Sequence, residues 1–311
     1  MTHNTIGVDI SKDHIDAWRM ADATHRQFAN DNVGHRALIG WIGEGKPRVI
    51  FEPTGAYHRA LQQALAKAGL PAVKVDPRQA RRFAEATGKL AKTDRCDAAM
   101  LARMGALLQL QARPPRSQNL NDLKDLHMAR EALVKDRTAA KNRSKNIALA
   151  LLKKLNSERL RQIERQMKAI EAMIVARIKA DPELELRFNI LVSIPGVSTI
   201  TAFALIIDIP ELGTLEPGQA ASLAGLAPVA RQSGHWTGRA FIRGGRANVR
   251  QALYMPALVA LRFNPDLKAK YQKLREAGKP AKLAITAIMR NLNVLANALI
   301  ANERKWTAKI A

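Results

Sequence analysis

The chain has 311 residues, 47% of them hydrophobic and 25% charged, so it can bury one large or two modest cores, and wholesale disorder is excluded. Lys and Arg number 50 against 27 Asp and Glu, a formal net charge of +23. That imbalance favours nucleic acid as the partner over a basic surface kept for solubility alone.

Residues 5–11 (TIGVDIS) read as a strand, with 14–21 and 25–30 as shorter second and third strands. Residues 33–44 have helical apolar spacing, and 48–51 form another short apolar run behind the breaker Lys46-Pro47. A helix is expected over 56–68, stopped by Gly69, then a strand over 71–75 and a helix opened by Pro77. Thr93 is placed to cap a helix reaching about Gln111. Three strands followed by alternating helix and strand resemble the ribonuclease H-like (RuvC-like) α/β fold.

Pro114-Pro115 marks a boundary. Between Leu120 and Ile178 there is neither Gly nor Pro, and apolar residues recur at three and four, which predicts one or two long amphipathic helices as an antiparallel coiled coil. Asp181-Pro182 closes that segment. Pro195-Gly196 reads as the turn of a helical hairpin able to offer backbone N–H groups to phosphate. A loop around Ser233-Gly234 and the run Arg243-Gly244-Gly245-Arg246 follow, with helices over 250–261 and 281–302. The expected division is therefore 1–115, 116–182 and 183–311, the last being mainly α. Residues 1–115 hold 17 Lys and Arg against 11 acids, leaving 33 against 16 beyond. The back two-thirds should carry most of the phosphate contact, with steep salt dependence.

Cys96 is the one cysteine. It excludes a disulfide framework, fits a reducing cytosol and reads as a small packing residue. The N-terminus lacks a basic stretch leading into a long apolar run, and no apolar run reaches the roughly 18 residues of a membrane span. The expectation is a cytoplasmic protein with no membrane partner.

The acids carry the chemistry. Asp9 ends the first strand, Glu52 follows the fourth, and Asp94 and Asp97 share one face of a helix. Four carboxylates brought together repel one another without a cation, and hard oxygen donors suit Mg²⁺ or Mn²⁺, which serve phosphodiester chemistry. Each acid has a plainer reading as a turn cap, an arginine partner or a solvated helix start. Arg239, Arg243, Arg246 and Arg250 read as phosphate clamps, Arg246 and Arg250 four apart and able to face one groove. Gly244-Gly245 could let backbone approach phosphate. Ser233 on its residues alone reads as an ordinary turn serine, and Tyr254 as a core tyrosine.

GVDISK, FEPTGAY and KTDRCDAAMLA, followed by SIPGVSTITA, ASLAGLAPVARQSG and GRAFIRGGRANVRQALYMPALVA, resemble the DEDD transposases of bacterial insertion sequences, relatives of the pilin-gene inverting recombinases. The match runs in order from Ile6 to about Asn293. The resemblance implies a metal site at Asp9, Glu52, Asp94 and Asp97, and a serine nucleophile, Ser233, that forms a phosphoserine link to DNA. It also implies donor and target DNA, a structured guide (bridge) RNA and a homo-oligomer, dimer or tetramer. Two other functions share these residues: a RuvC-like metal-dependent nuclease or junction resolvase that needs the acids but not Ser233, and a non-catalytic nucleic-acid-binding relative.

Overall fold

A computed structural model of the chain describes residues 4–88, 93–112, 114 and 116–308. Lys92 of the third acidic motif, Pro115 of the double-proline break and residues 1–3 of the N-terminus lie outside the described residues. Two compact units divide the chain, 1–116 and 117–311. The helical segment expected to stand apart as 116–182 clusters with the second unit.

In the first unit, β1 (Thr5–Ile10), β2 (His14–Arg19), β3 (Thr24–Ala29), β4 (Arg48–Phe51) and β5 (Ala72–Lys74) form one sheet in the order β3-β2-β1-β4-β5. β1, β2 and β3 pair antiparallel, while β4 and β5 add parallel to β1. Side chains alternate across a strand, so the sheet feeds two cores. Ile6, Val8, Ile10 and Phe51 are buried with Leu38 of α1 (Asn32–Ile42) and Leu61 and Leu65 of α2 (His58–Lys67). Ile50 and Val73 are buried on the other side with Ala80 of α3 (Pro77–Ala86) and Leu101 and Met104 of α4 (Asp94–Leu108). The helix starts obey local chemistry: Asp31 and Asp76 accept backbone N–H groups at the heads of α1 and α3, and Thr93 does so for α4.

α4 lies unusually close to the sheet. A Cβ on Gly7 would sit 1.9 Å from the Ala98 carbonyl oxygen, and one on Gly105 2.3 Å from the Ile50 side chain. Thr5 donates its hydroxyl to the Ala102 carbonyl at 3.0 Å. Small residues on both elements thus let backbone approach backbone. The pairing also sets a register: Thr5 meets Ala102, and Gly7 meets Ala98. Two strand residues advance about 6.7 Å, and four helical residues about 6 Å. The next step in that register brings Asp9 toward the first turn of α4, which holds Asp94 and Asp97.

The second unit begins with a helical hairpin, α5 (Gln118–Ser144) and α6 (Ala150–Lys179). Contacts from Asn156 to Ala140, Arg130 to Glu171 and Arg177 to Asp122 run in opposite directions along the two helices, so they are antiparallel. Leu123, Ile174 and Ile178 join the hairpin base to a core built on α7 (Pro182–Val192), α8 (Thr199–Asp208), α10 (Ala247–Phe263) and α12 (Ala281–Ala301). α9 (Pro217–Leu223) and α11 (Pro265–Glu276) complete the helices. Asp208 closes the buried helix α8. Its Oδ1 lies 2.5 Å from Lys124 Nζ and its Oδ2 3.4 Å from the buried His127 Nε2. Burial alone would raise the Asp208 pKa, but these partners outweigh it and hold the carboxyl below its ordinary value.

α12 has the length and mean hydropathy, 1.5, of a membrane span, although Lys282, Arg290 and its asparagines interrupt the apolar runs. Half of its apolar window is buried, and its Asn293 and Asn297 donate to the carbonyls of Ala220 and Leu215, as polar groups of a packed helix do. Two expectations change here. The Pro195-Gly196 turn is packed rather than offered to phosphate. A Cβ on Gly196 would sit 2.7 Å from the Pro256 carbonyl oxygen. Cys96 is exposed, not packed, because the first turn of α4 stays in solvent until Ala98.

Replacing Gly7 by Ala forces a methyl group into the Ala98 carbonyl, so denaturant titration of Gly7→Ala should show a loss of about 3 kcal/mol, at the upper end of overpacking costs. An unchanged midpoint would mean that α4 does not sit this close.

Candidate active site

The metal-type acids come together through the first unit's framework. Asp9 is at the end of β1. The register Val8↔Phe51 carries Asp9 and Glu52 past the last paired residues of neighbouring parallel strands. Asp94 and Asp97 open α4, where their charge also suits the helix N-terminus. Asp9 is partly buried, and its Oδ1 accepts the Ile10 N–H at 3.0 Å. Burial, then the charges of Asp97, Asp94 and Glu52, raise its pKa to about 6. The Ile10 hydrogen bond opposes that shift without cancelling it. All three other acids are therefore near enough to act on Asp9.

The donor set consists of carboxylate oxygens, which fit Mg²⁺ or Mn²⁺ in kind, and the mutual repulsion at Asp9 is what a divalent cation offsets. No three His, Cys, Asp or Glu side chains among the described residues converge closely enough to form a ready-made metal cage. Glu52 and Asp97 are each engaged by other groups.

Sequence reasoning missed Asp16. It lies directly across from Asp9 on β2 and is buried. Its Oδ1 is 2.8 Å from His25 Nε2, and its Oδ2 accepts from Gln27 at 3.2 Å. Those partners turn it away from the acidic group, and it is not among the charges that raise Asp9. The clue was available: with hairpin pairing, Asp16 of HIDAWR must face the same side as Asp9 of TIGVDI.

Ser233 belongs to the second unit and stands on a ribbon of very short strands. β6 (Pro228–Val229) pairs with β9 (Phe241–Ile242), and beyond them β7 (Gln232–Ser233) pairs with β8 (Trp236–Thr237). Gly234 and His235 form the two-residue turn, with Gly234 at φ +55°, a hairpin loop with glycine at its first central position. Ser233 is exposed at this tip. Arg239 and Arg243 are exposed on the returning arm, and the Arg231 guanidinium lies 4.8 Å over the Phe241 ring.

Arg246 and Arg250 differ from the expected pair of groove-facing clamps. Arg246 holds Glu211 through two hydrogen bonds, both 2.8 Å, and also donates to the Asp208 carbonyl at 2.6 Å. Its guanidinium fastens the loop after the ribbon to the end of α8. Arg250 donates to the Gly244 carbonyl at 3.1 Å. The double glycine serves a protein contact at one of its two positions: a Cβ on Gly245 would sit 2.1 Å from the Gly225 nitrogen. Gly244 has open space above it. Tyr254 is 46% exposed rather than in the core.

Residues 6–153 match a transposase family model of the DEDD, IS110 type, and residues 188–272 match the transposase model of the IS116/IS110/IS902 family. The chain is 30% identical over 322 residues to the pilin gene-inverting protein of Moraxella bovis, covering 100% of this chain and 99% of that one. The corresponding protein of Moraxella lacunata is equally similar. A protein of insertion element IS110 from Streptomyces coelicolor is 32% identical over 134 residues, 42% of this chain and 32% of its own length.

Because the folded-state pKa of Asp9 is raised, its ionisation costs stability. That cost is absent below about pH 4, grows as pH rises through about 6, and is full above it. Asp9→Asn should therefore raise the melting temperature of the metal-free protein at pH 7.5 and leave it unchanged at pH 3.5, as read by scanning calorimetry. A variant less stable than wild type at pH 7.5 would contradict the clustering of charge at Asp9.

Proposed function

Because the chain belongs to the IS110-type family of DEDD transposases, and is thus a DNA recombinase, we propose that it cuts and rejoins DNA strands with the carboxylates of its first unit and Ser233 of its second. The observation that carries this reading is the placement of Asp9 near the end of β1, Glu52 just past β4, and Asp94 and Asp97 at the head of α4, where burial first and then these charges raise the Asp9 pKa. The strand order β3-β2-β1-β4-β5, with β1 to β3 antiparallel and β4 and β5 parallel, supports assigning the first unit to the ribonuclease H-like class. The antiparallel hairpin of α5 and α6 supports its reading as a coiled coil.

Asp9, Glu52, Asp94 and Asp97 would hold the cation. Bound there, a divalent ion supplies Lewis-acid stabilisation of charge on the phosphate oxygens. The chain's own groups supply the rest. The Ser233 Oγ forms a bond to phosphorus as the bond from phosphorus to a sugar oxygen breaks, and the serine proton passes to a base. The product is a phosphoserine ester and a free sugar hydroxyl. A sugar hydroxyl of the recombining strand then attacks the ester and releases the serine. One phosphodiester is exchanged for another, so no external energy source is needed. Ser233 suits this by its exposure on a projecting turn, where a strand can reach it. Arg239 and Arg243 are exposed, where they can hold neighbouring phosphates, whereas Arg246 fixes the loop that carries them. Family membership further supports donor and target DNA as substrates, a structured guide RNA encoded beside the gene, and action as an oligomer.

The test uses cells carrying the gene with its native flanking DNA. Wild type should yield a protein–DNA adduct that survives denaturation, and Ser233→Ala should abolish both adduct and recombination while leaving the folded protein intact. Strand cleavage by Ser233→Ala at wild-type level would instead favour the metal-dependent nuclease that uses water. Arg243→Ala should lower recombination and weaken DNA binding several-fold at low salt, with a shallower salt dependence.

A further inference from the structure

Of the chain's four tryptophans, three have partners. Arg95 lies over Trp18, Trp41 packs on Phe28 with Arg19 over its ring, and Trp306 packs on the helical core. Trp236 is 60% exposed. Its position is specific. Ser233 and Trp236 are directly paired across the turn, so their side chains leave the same face with Cβ atoms about 5 Å apart. The indole is also braced: a Cβ on Gly238 would meet its six-membered ring at 2.3 Å. Gly238 is tied in turn to the other arm through its N–H and the Arg231 carbonyl at 2.8 Å. Only a residue without a side chain at 238 lets the ring lie where it does.

We propose that Trp236 is a substrate-positioning residue: its indole stacks on the unpaired DNA base beside the phosphate that Ser233 attacks. This rests on the reading of Ser233 as nucleophile for its place in the reaction, though not for the stacking itself. A large apolar ring held in solvent is costly unless something covers it. The ribbon that carries Trp236 also bears the exposed arginines Arg231, Arg239 and Arg243, which favour a polyanion over an apolar protein surface. A nucleobase offers both features, an apolar face for the ring and a phosphate for the arginines, and stacking of this kind tolerates any base. A side chain directly opposite the nucleophile can fix the nucleotide whose own phosphate is to react.

The experiment measures binding of the full chain, by fluorescence anisotropy, to a short oligothymidine strand and to an abasic strand with the same phosphates. Wild type should prefer the oligothymidine about tenfold or more, the range of one aromatic–base stack. Trp236→Ala should lose that preference and Trp236→Phe should keep most of it. Gly238→Val, which displaces the ring without removing it, should behave like Trp236→Ala. With 5-iodouracil in the strand, irradiation should place the cross-link on the peptide containing Trp236. Equal preference in wild type and Trp236→Ala, or a cross-link confined to other peptides, would overturn the proposal. A larger preference for oligouridine than for oligothymidine would overturn the assignment to DNA. Repeating the binding series in Ser233→Ala separates the two readings. If stacking persists there while the covalent adduct is lost, both stand. If Ser233→Ala still forms the adduct, only the nucleophile assignment fails. If the adduct depends on Ser233 but the series shows no effect of Trp236, only the stacking fails.

Discussion

The approach of α4 to β1 across Gly7 governs the first unit. With no side chain at Gly7, and Ala98 and Ala102 opposite it on α4, the helix backbone comes within reach of the strand. The matched advance of strand and helix then carries two acids of the helix onto the acid at the strand end. The charge effect at Asp9 follows from this packing: burial and three neighbouring carboxylates raise its pKa to about 6. The packed hydrocarbon around Leu101, Met104 and Ile50 supplies the free energy that holds the repelling charges together. Under the proposed function a bound cation would relieve this repulsion, a cost already present in the fold.

The second unit meets a different requirement. Ser233 has no core of its own to sit in, so its ribbon depends on fastening at the base. Arg246 provides this by gripping Glu211 and the end of α8, and the close contact of Gly245 with Gly225 seats the same loop. Asp208, held by Lys124 and His127, links that anchor to the helical hairpin. A fastened base with a projecting tip suits the proposed role of Ser233, which a bulky substrate can reach without a closed pocket.

Much of the first unit could be read from the sequence because its signals are local. Short apolar runs mark β1 and β4, Thr93 and Pro77 mark helix starts, and an acid at the end of each run places itself at the sheet edge. The second unit's ribbon was harder, since strands of two residues have no periodicity to detect. The role of Arg246 depends on Glu211, 35 residues earlier, and no local pattern announces a partner at that range. Cys96 and Tyr254 read as packing residues by type, yet helix faces decide exposure, and both are exposed on their helices. Gly245 was recognised as a point of close approach, but the sequence could not say that protein backbone rather than phosphate approaches it.

In the proposed function the four carboxylates bind a divalent cation as a unit through Asp9. Metal binding must then expel the proton that Asp9 holds near its raised pKa. Calorimetric titration of Mg²⁺ or Mn²⁺ in buffers of differing ionisation enthalpy measures that proton directly. At pH 6 wild type should release about half a proton per binding event, since the Asp9 pKa is about 6, and close to none at pH 8. Asp9→Asn should show neither the release nor comparable affinity. Undiminished binding by Asp9→Asn, or binding at pH 6 with no proton released, would contradict the account.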